Sequence, residues 1–295
     1  MHGLLIIDKP EGITSAEVVR RVKRRLHQKV GHLGTLDPFA SGVLPLCIGD
    51  GTKIAQFLNT ADKEYTGVIR LGSQTDTGDR TGAVTATAPV PQLAAGQLEG
   101  VAARFCGDQL QTPPMYSAIK KQGTPLYKLA RQGIAVAREP RTILITCLAL
   151  RVHGGDAIEF DVACSKGTYV RVLAQEIAVA VGSVGHLEAL RRTRFGRFRV
   201  EEALSIDAVG LTQAPVIGLR EALAHMREIR IEAAAVRRAR HGYGPLLEGI
   251  QRDTCEGAAK LVGPDGQLVA VIVVDQLGRW RFGRVVGEAE AGASE

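Results

Sequence analysis

The chain has 295 residues, of which 45% are hydrophobic and 23% are charged. This length and apolar content allow one large core, or a large domain with a smaller one, and exclude disorder over most of the chain. The formal net charge of +6 favours a polyanionic partner without proving one.

The cysteines and the apolar runs bear on the cellular compartment. The five cysteines are scattered and include no C-x-x-C pair, so we expect no zinc site, and free thiols are typical of a reducing compartment. The first apolar run, residues 4–7, is too short for the core of a signal peptide, and no run approaches the length of a membrane span. We therefore expect a cytoplasmic protein without a membrane partner.

The predicted elements alternate between strands and helices. Residues 4–7 are typical of a buried strand, and a helix should begin at Thr14, which has capping-box spacing to Glu17. The strands predicted after it are at 43–48, 65–71, 143–152 and 157–164. The predicted helices are at 52–58 and about 97–105, and a third follows the turn at 165–168 and ends at about residue 181. Because apolar and polar residues alternate cleanly along residues 157–164, this order indicates a mixed sheet.

A glycine- and proline-rich bend at residues 31–42 presents Asp37 between a basic helix and an apolar strand. Its glycines allow close approach of the backbone, and Pro38 stiffens the exit of the loop. Functional groups are often found on such short loops. The same residue types also form ordinary turns, so spacing alone favours a turn.

Three basic segments indicate contact with nucleic acid. Cations cluster at residues 20–29 and again at residues 191–199. A solvated helix face or strand edge explains each of these clusters equally well. Residues 111–141 are more specific, because aromatic and cationic side chains alternate there as they do in loops that contact nucleic acid.

Together these motifs resemble the bacterial tRNA pseudouridine synthases that act on the uridine at position 55 of the T-arm. Order and spacing are unbroken from residue 4 to about 205. The matching segments are 31–42, Lys63-Glu64-Tyr65, Leu71-Gly72 with Thr75-Asp76-Thr77, 111–131, 164–171 and Leu190-Arg191-Arg192. Leu33 and Phe39 depart from the residues common in the family but leave His32 and Asp37 in place.

The resemblance implies an α+β fold and a division of the chain. Residues 1–228 would form the catalytic domain, with a mixed, largely antiparallel sheet flanked by helices and loops and an RNA-gripping insertion at about 111–141. Residues 229–288 would form a small β-rich, PUA-like RNA-binding domain, which the hydrophobic rhythm of residues 261–286 supports. Residues 289–295 are expected to be a disordered tail.

The resemblance also implies isomerisation of uridine to pseudouridine, which needs no cofactor and no metal. Asp37, Tyr65 and Arg171 would be catalytic. Asp37 attacks C1′ or C6, or assists a glycal route, and Arg171 favours the ionised carboxylate. Tyr65 stacks on the extruded uracil and is a candidate for the late proton transfer from C5.

Further contacts with the substrate are implied by the same resemblance. His32 supports the flipped-out nucleotide, and Tyr169 and Leu190 line the pocket with Tyr65. The expected RNA-surface residues are Lys63, Lys120, Arg131, Arg191 and Arg192. The partner would be the T-arm stem-loop of tRNA, bound without a guide RNA by a monomer that also has a possible role in tRNA folding.

Three other functions stay open at this point. A non-enzymatic RNA-binding protein could use the same basic surface, but the intact Asp37, Tyr65 and Arg171 argue against it. A guide-RNA-dependent synthase within a ribonucleoprotein is disfavoured by the insertion. A metal hydrolase using His32 and Asp37 lacks a third ligand at suitable spacing.

Overall fold

The computed structural model describes residues 1–59, 61–210, 215–250 and 257–287. The tail expected at 289–295 lies outside these residues. These ranges contain seven α-helices: α1 (Ser15–Leu26), α2 (Gly51–Leu58), α3 (Ala95–Phe105), α4 (Leu126–Ala130), α5 (Val170–Ala180), α6 (Leu219–Ala222) and α7 (Ala233–Arg240). None of the helices in the described ranges is both long enough and apolar enough to cross a membrane.

The strands account for most of the remaining regular structure. They are β1 (Gly3–Lys9), β2 (Val30–His32), β3 (Ser41–Ile48), β4 (Lys63–Leu71), β5 (Ser73–Thr75), β6 (Val84–Thr87), β7 (Gly107–Gln111), β8 (Lys120–Lys121), β9 (Thr124–Pro125), β10 (Arg141–His153), β11 (Ala157–Cys164), β12 (Gly185–Phe195), β13 (Phe198–Arg199), β14 (Leu204–Ser205), β15 (Arg227–Arg230), β16 (Ala258–Val262), β17 (Leu268–Val274) and β18 (Trp280–Val285). The described part of the chain also contains three 3₁₀ turns, at Val200–Glu202, Ile206–Ala208 and Gly244–Leu247.

A ten-stranded sheet organises the larger part of the chain. Its order is β14-β1-β3-β12-β4-β11-β10-β7, with β13 beside β12 and β2 beside β3. Only the pairs β1–β14 and β3–β12 are parallel among its described neighbours. The predicted α+β fold with a mixed, largely antiparallel sheet is therefore confirmed.

Helix α1 begins as predicted. The Thr14 side-chain oxygen accepts a hydrogen bond of 3.0 Å from the backbone N–H of Glu17, which satisfies a donor at the start of the helix. Val18 and Val22 are completely buried against the sheet, while Arg24 and its basic neighbours face solvent. The amphipathic pattern thus anchors the helix and leaves its cations exposed.

A second, four-stranded sheet forms a C-terminal β domain with the order β15-β16-β17-β18. The boundary predicted at residue 228 falls inside β15, whose pairing with β16 assigns it to this sheet. Lys260 connects the sheet to the rest of the chain, because its buried Nζ donates hydrogen bonds of 3.0 Å to Leu223 O and 3.3 Å to Arg220 O. Val271 packs in one apolar cluster with Phe195 of the larger sheet.

Gly42 offers a test of how closely β3 and β12 must approach. Its φ is +105°, and a Cβ at this position would lie 2.2 Å from Arg192 O. We expect Gly42→Ala to lower the free energy of unfolding by about 3 kcal/mol, because backbone strain and overpacking add.

Gly12→Ala is the matched control, since Gly12 has a φ of +85° with no heavy atom within 4 Å of the added Cβ. It should cost about 1 kcal/mol in urea unfolding. If both variants lose the same free energy of unfolding, the close approach of Gly42 to Arg192 O does not contribute to stability.

Candidate active site

A cavity of about 560 Å³ opens beside the bend that carries Asp37. This volume is within the usual range for small-molecule sites. Its lining contains five of the residues predicted for the catalytic site and the substrate pocket, namely Asp37, Tyr65, Tyr169, Arg171 and Leu190. Segments far apart in the chain therefore meet around one space.

The loop around Asp37 is fixed on both sides of that residue. Before it, Ser15 Oγ donates to Leu36 O at 3.0 Å and accepts from Leu36 N at 2.9 Å. After it, Pro38 O accepts a 2.8 Å hydrogen bond from Gly12 N. These bonds hold the Asp37 backbone against α1 and the turn that precedes it, so its carboxylate is presented by a rigid turn.

Arg171, in the first turn of α5, connects this loop to two other segments. Its Nε lies 2.8 Å from Asp37 Oδ2. Nη1 donates to Thr77 O at 2.6 Å, and Nη2 donates to Tyr116 O at 2.7 Å. A second carboxylate oxygen, Asp79 Oδ2, lies 3.9 Å from Nε. Since the Arg171 side chain is only 6% exposed, these partners take the place of water around its charge.

The protonation of Asp37 reflects opposing influences. Burial raises the pKa of the Asp37 carboxyl, Arg171 is the largest influence lowering it, Asp79 raises it and Lys9 lowers it. The balance lies above the ordinary value for an aspartate, because desolvation outweighs the neighbouring cations. Arg171 therefore limits a rise that burial would otherwise make larger.

Two tyrosines and a leucine form the aromatic and apolar part of the cavity. Tyr65 on β4 is 8% exposed, and Leu190 on the neighbouring β12 is 6% exposed. Tyr169 immediately precedes α5, where its N–H donates to Gln111 Oε1 at 2.7 Å. Gln111 Nε2 in turn donates to Tyr169 O at 3.2 Å. The arrangement offers two ring systems and a hydrocarbon surface to a planar ligand.

Residues 111–141 leave and rejoin the sheet at a single point, because Gln111 of β7 pairs directly with Arg141 of β10. Between them the chain forms the small hairpin β8–β9 and helix α4. Ser117 and Ala118 line the cavity, whereas Lys120 and Arg131 are exposed and are not part of its lining. The segment thus contributes to the wall of the cavity and also carries exposed cations.

Comparison with known proteins identifies the family. Residues 21–170 match the model of the TruB family pseudouridylate synthase N-terminal domain. The chain belongs to the TruB family. It is 42% identical over 289 residues to tRNA pseudouridine synthase B of Syntrophotalea carbinolica, covering 95% of this chain and 94% of that relative. It is 49% identical over 212 residues to tRNA pseudouridine synthase B of Psychrobacter cryohalolentis, covering 70% of this chain. The match spans 59% of that relative's length, which is less than two thirds.

Solved structures agree with this fold. An H/ACA ribonucleoprotein bound to a substrate RNA containing 2′-deoxyuridine includes a chain with a TM-score of 0.71 and 24% identity, covering 98% of this chain and 86% of the other. A chain of a Cbf5-Nop10-Gar1 complex gives a TM-score of 0.68 at 27% identity, covering 98% and 84% respectively. The architecture of this TruB-family chain is therefore shared by proteins of low sequence identity.

Two residues expected on the RNA surface of this TruB-family chain are instead buried. Arg192 is 1% exposed, and its Nε and Nη2 donate to Val43 O and Gly34 O at 2.7 and 2.9 Å. Lys63 is 8% exposed, with its Nζ donating to Ala61 O at 2.6 Å. The surface prediction was wrong for both, because a charged residue was equated with an exposed one. Both line the cavity.

The other predicted residues are more accessible. Arg191 is half-buried, and its Nη2 lies 2.7 Å from Asp8 Oδ2. His32 on β2 is half-buried and lies outside the lining of the cavity as the described residues form it. Burial, followed by Arg192, lowers the pKa of His32, which favours the neutral ring at neutral pH.

Sequence reasoning missed two charged residues around Asp37. Asp79 is 5% exposed, and its Oδ2 lies 3.9 Å from Arg171 Nε. Lys9 is completely buried, and its Nζ donates to Ile13 O at 2.8 Å and to Pro38 O at 3.3 Å. The clue to Asp79 was its position in Thr77-Gly78-Asp79-Arg80-Thr81, where hydroxyls flank the acid and bond its carboxylate.

The raised pKa of Asp37 predicts a pH-dependent cost to stability. A carboxyl whose pKa is higher in the folded than in the unfolded state destabilises the fold once it ionises, and this cost is absent below the unfolded value near 3.8. We expect the stability of Asp37→Asn relative to wild type to rise as the pH increases from 4 to 7, because only the wild type pays the cost of ionising this carboxyl.

Thermal unfolding between pH 4 and 8 measures this difference. Asp161→Asn is the control, because Asp161 is exposed on β11 and pairs with Arg151. The measured quantity is the stability of Asp37→Asn minus that of wild type. If this difference is smaller at pH 7 than at pH 4, the sign of the effect is wrong.

Proposed function

We propose that this chain isomerises uridine to pseudouridine at position 55 in the T-arm of tRNA. The observation that carries the proposal is the Asp37 carboxylate, held 2.8 Å from a buried guanidinium beside a cavity large enough for one base. Relatives that share 42% to 49% of their aligned residues with it are named tRNA pseudouridine synthase B. Family membership and site chemistry therefore favour the same reaction.

The reaction requires little beyond positioned side chains. The bond between C1′ and N1 breaks, the base turns in its pocket, and a bond between C1′ and C5 forms, so no electrons are gained or lost overall. Asp37 supplies the negative charge for each of three routes: attack at C1′, attack at C6, or assistance to a glycal. Arg171 keeps the carboxylate oriented and favours its ionised form.

Access to the uridine requires base flipping. Extruding a nucleotide costs a few kcal/mol, and stacking on an aromatic ring returns about 1–3 kcal/mol. Tyr65 stacks on the extruded uracil, with Tyr169 and Leu190 closing the pocket around it. His32, whose neutral ring lies outside this pocket, supports the RNA where the nucleotide has left. Two rings together with phosphate contacts offset the cost of flipping.

The RNA contacts in this proposal come from accessible cations. Lys120 and Arg131 project from the insertion, and the exposed basic face of α1 offers further contacts to phosphates. The C-terminal domain predicted at 229–288, extended to include the start of β15, acts as a PUA-like RNA-binding domain, and the chain before it acts as the catalytic domain. The protein works as a cytoplasmic monomer, needs no guide RNA and no cofactor, and its binding surface also suits a role in tRNA folding.

Loss of the Asp37 carboxylate should abolish the reaction. Tritium release from unmodified tRNA carrying 5-tritiated uridine measures turnover, in the absence of guide RNA and added metal. We expect Asp37→Asn to reduce the rate by more than about 10³-fold, the scale of loss when a nucleophile or a catalytic base is removed. Asp161→Asn, which removes an exposed carboxylate of β11, serves as the control and should keep the wild-type rate.

A substrate change separates this function from its alternatives. Replacing the uridine at position 55 with cytidine should eliminate release by the wild-type protein. Release that persists would contradict the assigned position. If no release occurs although tRNA binds, the chain is an RNA-binding protein, and release only with a guide RNA would identify a ribonucleoprotein subunit.

The cations of the insertion should contribute to tRNA affinity by neutralising phosphates. We expect the double variant Lys120→Ala and Arg131→Ala to weaken tRNA binding and to reduce the slope of log K against log salt by about 1 for each phosphate that is no longer neutralised. Filter binding between 50 and 300 mM salt measures this slope. Arg151→Ala is the control, because Arg151 on β10 pairs with Glu159 and Asp161. An unchanged slope in the double variant would remove the insertion from the binding surface.

A further inference from the structure

Arg192 is a buried charge in the cavity to which the proposed reaction assigns no task. It lies directly opposite Tyr65 in the register of β12 and β4, and both side chains line the cavity. Its Nε donates to Val43 O, its Nη2 donates to Gly34 O, and its guanidinium carbon lies 5.3 Å from the centre of the Phe195 ring. Carbonyls and a ring therefore hold the group in place without neutralising it.

Its neighbours in β12 are paired differently. Arg191 Nη2 lies 2.7 Å from Asp8 Oδ2, and Arg194 Nη2 lies 2.5 Å from Glu64 Oε1. For Arg192, no carboxylate oxygen among the described residues lies within the 4.0 Å of an ion pair. Burying a cation without an anion costs several kcal/mol, which indicates a task other than stability.

The Tyr65 side chain lies on the same face of the sheet as Arg192, because directly opposite residues of neighbouring antiparallel strands project to one face. Burial raises the pKa of Tyr65, and Arg192 is the neighbour that opposes this rise. The other titrating groups that face Tyr65, Cys164 on β11 and Asp37 in the bend, raise it further. Burial, followed by Arg192, also lowers the pKa of Lys63 to about 8, so Arg192 acts on a second group that lines this cavity.

We propose that Arg192 is a positioning residue for the last proton transfer of the reaction, holding the Tyr65 oxygen in the cavity and stabilising its phenolate. This inference rests on the proposed function. Once C5 is bonded to C1′, the phenolate oxygen takes the proton from C5. The electron pair of that C–H bond forms C5=C6, the C6=N1 pair moves to N1, and N1 takes up a proton. The phenol returns its proton to solvent, so atoms and charges balance.

The test compares single-turnover rates on tRNA carrying ordinary or 5-deuterated uridine, from pH 6 to 10. In the wild type the isotope effect should fall as the pH rises, because more phenolate forms. Arg192→Met should raise the isotope effect severalfold and move its decline to higher pH. Arg192→Lys keeps a cation and should retain most of the wild-type profile. Arg70→Met, on the same strand as Tyr65 but paired with Asp156, should leave the isotope effect unchanged.

Coupling through the hydroxyl gives a second readout. In a Tyr65→Phe background, Arg192→Met should add less than a twofold change, whereas a merely structural role would multiply the two losses. An Arg192→Met variant that is less stable but has the wild-type isotope effect would overturn the proposal. If Arg192→Met does not fold, the wild type alone tests the proposal: an isotope effect that does not change between pH 6 and 10 would overturn it. Absence of turnover in the wild type would instead refute the proposed function.

Discussion

The Arg171 guanidinium is the interaction on which the site depends. It joins three segments that are distant in sequence: the bend at Asp37, the loop carbonyl of Thr77 and the insertion carbonyl of Tyr116. Because the group is almost completely buried, each of these partners replaces water, and loss of any one leaves a charge-assisted donor unsatisfied. One side chain thus couples the orientation of the carboxylate to the position of the insertion that forms a wall of the cavity.

Much of the fold follows from local sequence patterns. The cap at Thr14 and the alternation along β11 predict their elements almost to the residue, because both depend on short-range geometry. The pattern of β12 does not predict a strand. It carries Arg192 at an inward position, and a buried arginine breaks the apolar alternation by which a strand is predicted. The pairing of Gln111 with Arg141 is also non-local and leaves no signal in either segment.

The site was predictable through family resemblance more than through residue chemistry. Asp37 lies in a segment that spacing alone would assign to an ordinary turn. Its partner at 2.8 Å is Arg171, which is far away in the sequence, so no local pattern indicates the pair. For Lys63 and Arg192 the charge itself misled the prediction. Both were expected on the RNA-binding surface, whereas both are buried in the sheet and line the cavity. Burial of a charge depends on partners from other elements, which composition and periodicity do not contain.

The proposed function is that of a stand-alone enzyme in which the Asp37 carboxylate, the buried Arg171 guanidinium and the rings of Tyr65 and Tyr169 act on one extruded uridine. Mapping of pseudouridine along an unmodified tRNA transcript tests this account most directly, using carbodiimide adducts and reverse transcription after incubation with the purified protein alone. The account predicts a single modified nucleotide, the uridine at position 55 of the T-arm. Modification at another position, or none unless a guide RNA is supplied, would contradict it.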